Sequence, residues 1–130
     1  MNLVIVLDSN IFLLHLRKEI DIASLPKHYF NIQVHVIMVE EVLRNISEKQ
    51  KKEFFRLLFD KSIEVSDAKF PGELLGKYKK MNLKKGDLLM ASFCEYVKTD
   101  FLITANRHFL KSKIKDFQIL SFEDFCRKHC

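Results

Sequence analysis

The run Leu3-Val4-Ile5-Val6-Leu7 constrains this chain more than any other feature, because all five positions are apolar and the middle three are β-branched. A strand with one wet face alternates apolar and polar residues, whereas a strand apolar throughout is covered on both faces, as in a parallel sheet clad by helices. Four further short strands are expected at 32–38, 62–65, 101–104 and 117–120. Helical segments lie between them. The clearest is 47–60, where Phe54, Phe55, Leu58 and Phe59 keep a helical period and Ser47 stands as N-cap. The segment 88–97 is apolar almost all round and reads as a helix sunk between layers.

Strands alternating with helices imply right-handed crossovers and an open parallel sheet covered on both faces, so a three-layer α/β/α sandwich with about five parallel strands is expected. In such sheets ligands bind beyond the carboxyl ends of the strands. The chain has 130 residues, 48% hydrophobic and 30% charged, which is a globular composition and the size of one domain, here 1–130. No apolar run is long enough to span a bilayer, and the first is too short and too soon interrupted by Asp8 for a signal peptide, so no membrane and a cytoplasmic setting are expected. Three cysteines describe no disulfide framework. Cys126 and Cys130 share a face if that end is helical, without the further ligands of a metal site.

Three acids draw attention by position. Asp8 follows the first strand directly, Glu41, with Glu40 before it, follows the second and opens what looks like a first helical turn, and Asp87 follows Gly86 at the start of the apolar helix. Each has an ordinary explanation: Asp8 as a helix cap, Glu41 and Asp87 as partners of a helix dipole. All three, however, fall at the same end of the expected sheet. Carboxylates gathered there repel one another, and a hard divalent cation, Mg²⁺ or Mn²⁺, relieves that repulsion while sharing its waters with a substrate phosphate. Metal-assisted phosphodiester hydrolysis is the matching chemistry.

At these residues the chain resembles the PIN-domain family. Val6-Leu7-Asp8-Ser9-Asn10 is similar to the family's opening strand and first acid, Glu41-Val42-Leu43-Arg44 to its second acid on a helix, and Gly86-Asp87-Leu88-Leu89-Met90-Ala91 to its third-acid motif. The stretch 100–109 resembles its late strand and turn, and the ordered set runs from Val4 to Leu120. The resemblance implies a PIN-like sheet and a divalent-metal-dependent ribonuclease, with Asp8, Glu41 and Asp87 as catalytic and metal-binding acids. It also implies, by likeness to small prokaryotic toxins, a homodimer and an antitoxin partner. Many members carry a fourth acid just after the late-strand threonine. Here Asn106 and His108 stand in that stretch, which leaves one metal or two open and makes Asn106 a candidate ligand.

For substrate, Ser9, Asn10 and Thr104 stand beside the acids, either to hydrogen-bond a ligand or to cap. The chain carries a formal charge of +5. Its basic residues flank the acids: Lys77, Lys79, Lys80, Lys84 and Lys85 before Asp87, then Arg107, Lys111, Lys113 and Lys115 after Asn106. Lys84, Lys85, Arg107 and His108 are the candidate phosphate contacts to RNA, against the alternative of a solvated charged face. Tyr78 is a candidate for base stacking. The five histidines show no metal-ligand spacing. Two other readings compete: a phosphatase with Asp8 as nucleophile, which wants a second Asp where Asn10 stands, and a degenerate PIN-like module that binds RNA or protein without cutting.

Overall fold

The computed structural model describes residues 3–26, 29–83 and 85–130. In chain order the elements are β1 (Leu3–Leu7), α1 (Ser9–Leu16), a 3-10 turn (Ile22–Ser24), β2 (Phe30–His35), α2 (Val36–Leu43), α3 (Glu48–Asp60), β3 (Glu64–Ser66), α4 (Gly72–Lys79), α5 (Lys85–Tyr96), β4 (Phe101–Ile103), α6 (Arg107–Leu110), β5 (Gln118–Leu120) and α7 (Phe122–His129). The strands form one sheet in the order β3-β2-β1-β4-β5. Every pairing is parallel, with Ile5 of β1 opposite Ile32 on one side and Phe101 on the other.

The central place of β1 explains its composition. Ile5 and Leu7 point into one core with Phe12 of α1, Phe54 of α3 and Phe125 of α7. Val6 points into a second core with Leu102, Tyr78 of α4, Phe93 of α5 and Phe109 of α6. Ile5, Val6 and Leu7 are all fully buried, each contributing about 1.5–3 kcal/mol. The result is a three-layer α/β/α sandwich. Among the described residues no helix is long and apolar enough to cross a membrane.

Two local readings of the sequence need correction. The second strand, expected over 32–38, ends at His35, because the His35 Nδ1 accepts the Ile37 N–H at 3.2 Å and caps α2. Val36, Ile37 and Met38 are therefore helical although two of them are β-branched. In α3 the capping box of Ser47 and Gln50 forms as the N-cap reading required. Its buried face, however, is Phe54, Leu57 and Leu58, while Phe55 and Phe59 are 51% and 83% exposed. Five phenylalanines and leucines in close succession fit two helical faces, and the sheet selects only one. At the chain's end Cys126 and Cys130 do share a face, their sulfurs 2.8 Å apart and both thiols free.

Candidate active site

In this strand order the chain steps from β1 to β2 and β3 on one side, then crosses to β4 and β5 on the other. The crevice at such a reversal, beyond the carboxyl ends of the strands, is where α/β sheets bind ligands. Asp8 lies at that point. Its backbone N–H donates to the Ile103 carbonyl of β4 at 3.0 Å. Its Oδ1 accepts the Ser9 N–H at 2.7 Å as N-cap of α1, and its Oδ2 accepts the Thr104 hydroxyl at 2.8 Å. Capping and pocket lining are thus both true of Asp8. Burial pushes its carboxyl above the ordinary range, against the hydrogen bonds from Thr104 and Ser9 and with the charges of Glu41 and Asp87.

Asp87 stands in the first turn of α5 and is half-buried. Its Oδ1 accepts the Asn106 side-chain amide at 3.1 Å. Its carboxyl is also raised, chiefly by burial; the charge of His108 pulls it down, Glu41 pushes it up, and the Asn106 hydrogen bond lowers it. Asn106 is the N-cap of α6, with Oδ1 accepting the His108 N–H at 2.9 Å. Its amide oxygen is thereby engaged, and its NH₂ meets Asp87.

Glu41 differs from expectation. It lies in the last turn of α2, whose first turn holds no acid. The helix dipole favours acids at the opposite end, so it gives no reason for a glutamate here. Glu41 nevertheless lines the same pocket as Asp8, Ser9, Asn10, Asp87 and Asn106, a cavity of about 160 Å³. Glu40 is exposed and outside the lining. Thr104 is fully buried behind Asp8 and also accepts the Asn106 N–H at 3.0 Å. Lys85, Arg107 and His108 are exposed, at the first turns of α5 and α6. Lys84 and His28 lie outside the described residues.

The lysine cluster before Asp87 is partly committed elsewhere. Lys77 pairs with Glu95 and with Asp116 at 3.0 Å. Tyr78 is fully buried, its hydroxyl donating to Glu95 at 2.7 Å, so it cannot stack a base. The sequence reading also missed half of the pocket. His35, Phe70, Met38 and Met90 line it too. His35 ends the strand next to β1, a position the carboxyl-end rule singles out, but overextending that strand to Met38 concealed it.

Among the described residues no three His, Cys, Asp or Glu side chains form a ready-made metal cage. The carboxylates share the pocket without converging on one point. Their oxygen donors, and the raised proton affinities of Asp8 and Asp87, fit a hard divalent ion that keeps most of its own waters, as Mg²⁺ does.

This architecture is PIN-like. A chain of the crystal structure of VapBC2 from Rickettsia felis, bound to a DNA fragment from their promoter, superposes with a TM-score of 0.67, covering 92% of this chain and 99% of that one at 20% identity. At that identity the likeness is one of fold. No family model matches the sequence, and no curated protein matches it.

Proposed function

We propose that the chain is a divalent-metal-dependent endoribonuclease. The observation that carries this reading is the presence of Asp8, Glu41 and Asp87 in one pocket at the topological switch of a PIN-like sheet, two of them with carboxyls raised by burial and by neighbouring acids. A bound Mg²⁺ or Mn²⁺ supplies an activated water and charge neutralisation. The chain's own residues do the rest. Asp8, Glu41 and Asp87 hold the cation, and Thr104 and Ser9 orient the Asp8 carboxylate. Ser9, Asn10, Lys84, Lys85, Arg107 and His108 are the candidate contacts to the RNA backbone. The VapBC2 neighbour is a complex, and by analogy this chain is the toxin of a toxin-antitoxin pair, a homodimer with a small antitoxin partner, acting in the cytoplasm as one domain over 1–130.

A second reading is favoured by one contact: Asn106 sets an amide against Asp87 where the PIN resemblance leads to a fourth acid. On that reading the pocket binds RNA or protein without cutting. Cleavage of single-stranded RNA in Mg²⁺ or Mn²⁺ decides. Asp8→Asn, Glu41→Gln and Asp87→Asn are each expected to slow it about 100-fold or more, the scale of several kcal/mol of lost transition-state stabilisation. Wild-type rates in all three variants, with contaminating nuclease excluded, would defeat the enzymatic reading.

A further inference from the structure

The acids account for only one side of the pocket. The other side is built from Ile37 and Met38 of α2, Leu89 and Met90 of α5, and Phe70 from the loop before α4, with His35 beside them. Met38 and Met90 belong to the second core and are only 5% and 4% exposed, so they show the pocket an edge, while Phe70 is half-buried. The Phe70 ring packs against its neighbours, 4.7 Å from the His35 ring and 6.5 Å from Phe93 at a near-perpendicular 78°. The wall has little hydrogen-bonding capacity. The one polar side chain among these six, His35, has both ring nitrogens engaged: Nδ1 accepts from Ile37 and Nε2 donates to the Ala68 carbonyl at 2.9 Å, which a single neutral tautomer satisfies.

We propose that this wall is a nucleobase subsite: the base of a nucleotide whose phosphate lies at the carboxylates rests against Phe70, Met38 and Met90. A nucleotide has a charged phosphate at one end and a planar apolar face at the other, and the pocket offers metal-binding oxygens and an apolar wall in the same order. The inference rests on the nuclease reading of the acids and adds to it that the base is unpaired, because a stacked, paired base presents no free face to an aromatic wall. It also adds that recognition is by face contact and so tolerant of base identity. A paired duplex is excluded from the subsite.

The test uses methionine methyl resonances of the full chain in Mg²⁺, with adenosine 5′-monophosphate, uridine 5′-monophosphate and ribose 5-phosphate as probes. Met38 and Met90 line the pocket, and Met81, 39% exposed and outside it, serves as internal control. Both nucleotides are expected to shift Met38 and Met90 through the ring current, with Met81 still and ribose 5-phosphate producing little effect. Phe70→Ala is expected to weaken nucleotide binding about tenfold or more, the scale of one lost base–aromatic stack. Phe70→Leu, which keeps an apolar side chain against His35, is expected to do nearly the same and guards against simple misfolding. Equal effects of ribose 5-phosphate, or unchanged affinity in both Phe70 variants, would overturn the subsite and leave the wall to a protein partner. Because binding is read without cleavage, RNA cutting with unmoved methyls removes only this inference. Nucleotide binding without cutting removes only the enzymatic one.

Discussion

Both oxygens of the Asp8 carboxylate are engaged, one by a backbone N–H and one by the Thr104 hydroxyl, yet its proton affinity is raised, because burial outweighs the hydrogen bonds. The sign of the consequence follows from linkage. A carboxyl that binds its proton more tightly in the folded state than in the unfolded chain adds stability when protonated, and that stability is lost as pH rises through the folded-state value. Metal-free protein therefore carries a destabilising charge at neutral pH. Asn resembles the neutral acid, so Asp8→Asn is expected to melt higher than wild type at neutral pH in EDTA, the gap closing as pH falls into the ordinary carboxylate range. A melting curve for each protein across that range checks it; a variant that melts lower at neutral pH contradicts it. The place of Asp8 beyond the central strand was legible in the sequence because one β-branched apolar run dictates both that strand and the residue that follows it. Its partner Thr104 was named only as a polar neighbour. A contact across 96 residues of chain leaves no local mark.

Among the described residues, four helices end in the same way without a glycine. In α5 the Thr99 N–H reaches back to the Cys94 carbonyl and the Lys98 N–H to Glu95, with Lys98 at φ 55°. Lys18 after α1, Ser62 after α3 and Asn82 after α4 repeat the pattern at φ 66°, 51° and 64°. Glycine is the usual residue at this left-handed position, since a Cβ there is crowded by the following carbonyl. The chain has three glycines, and none has positive φ. Lys98→Gly is accordingly expected to stabilise the fold by about 1 kcal/mol, the strain of a left-handed side chain less the backbone entropy of glycine. Chemical denaturation measures it, and a loss of stability would show that Lys98 is unstrained. The same feature explains which boundaries were readable. The start of α3 was plain from Ser47, whereas helix ends closed by lysine or serine carry no signal in one sequence, and the β2–α2 junction was hidden by β-branched residues on both sides.

On the scale of the molecule, the pocket's acids come from elements of both layers, while its apolar wall is the edge of the second core. Asp8 follows the central strand, Glu41 comes from α2, which packs Val39 and Val42 into the first core, and Asp87 comes from α5, which lies in the second. A cation held by these acids would stabilise the docked layers together, by about 2.7 kcal/mol at a concentration one hundred times its dissociation constant. Mn²⁺ is thus expected to raise the melting temperature of the wild-type protein. Asn106→Asp keeps the α6 cap but sets a carboxylate against Asp87, so that variant is expected to melt lower in EDTA and to gain more from Mn²⁺. Identical responses of the two proteins to metal would take Asn106 out of the cation's surroundings. The architecture was legible because strand and helix patterns alternate along the whole chain; the apolar half of the pocket was not, because its residues read individually as core. Synthesis delivers Asp8 long before Thr104, 96 residues further on, and β1 waits equally for β4 to arrive at its open side. The finished pocket is therefore withheld until β4 has been made, so a ribosome translating this message is not exposed to the complete site while most of the chain is still being built.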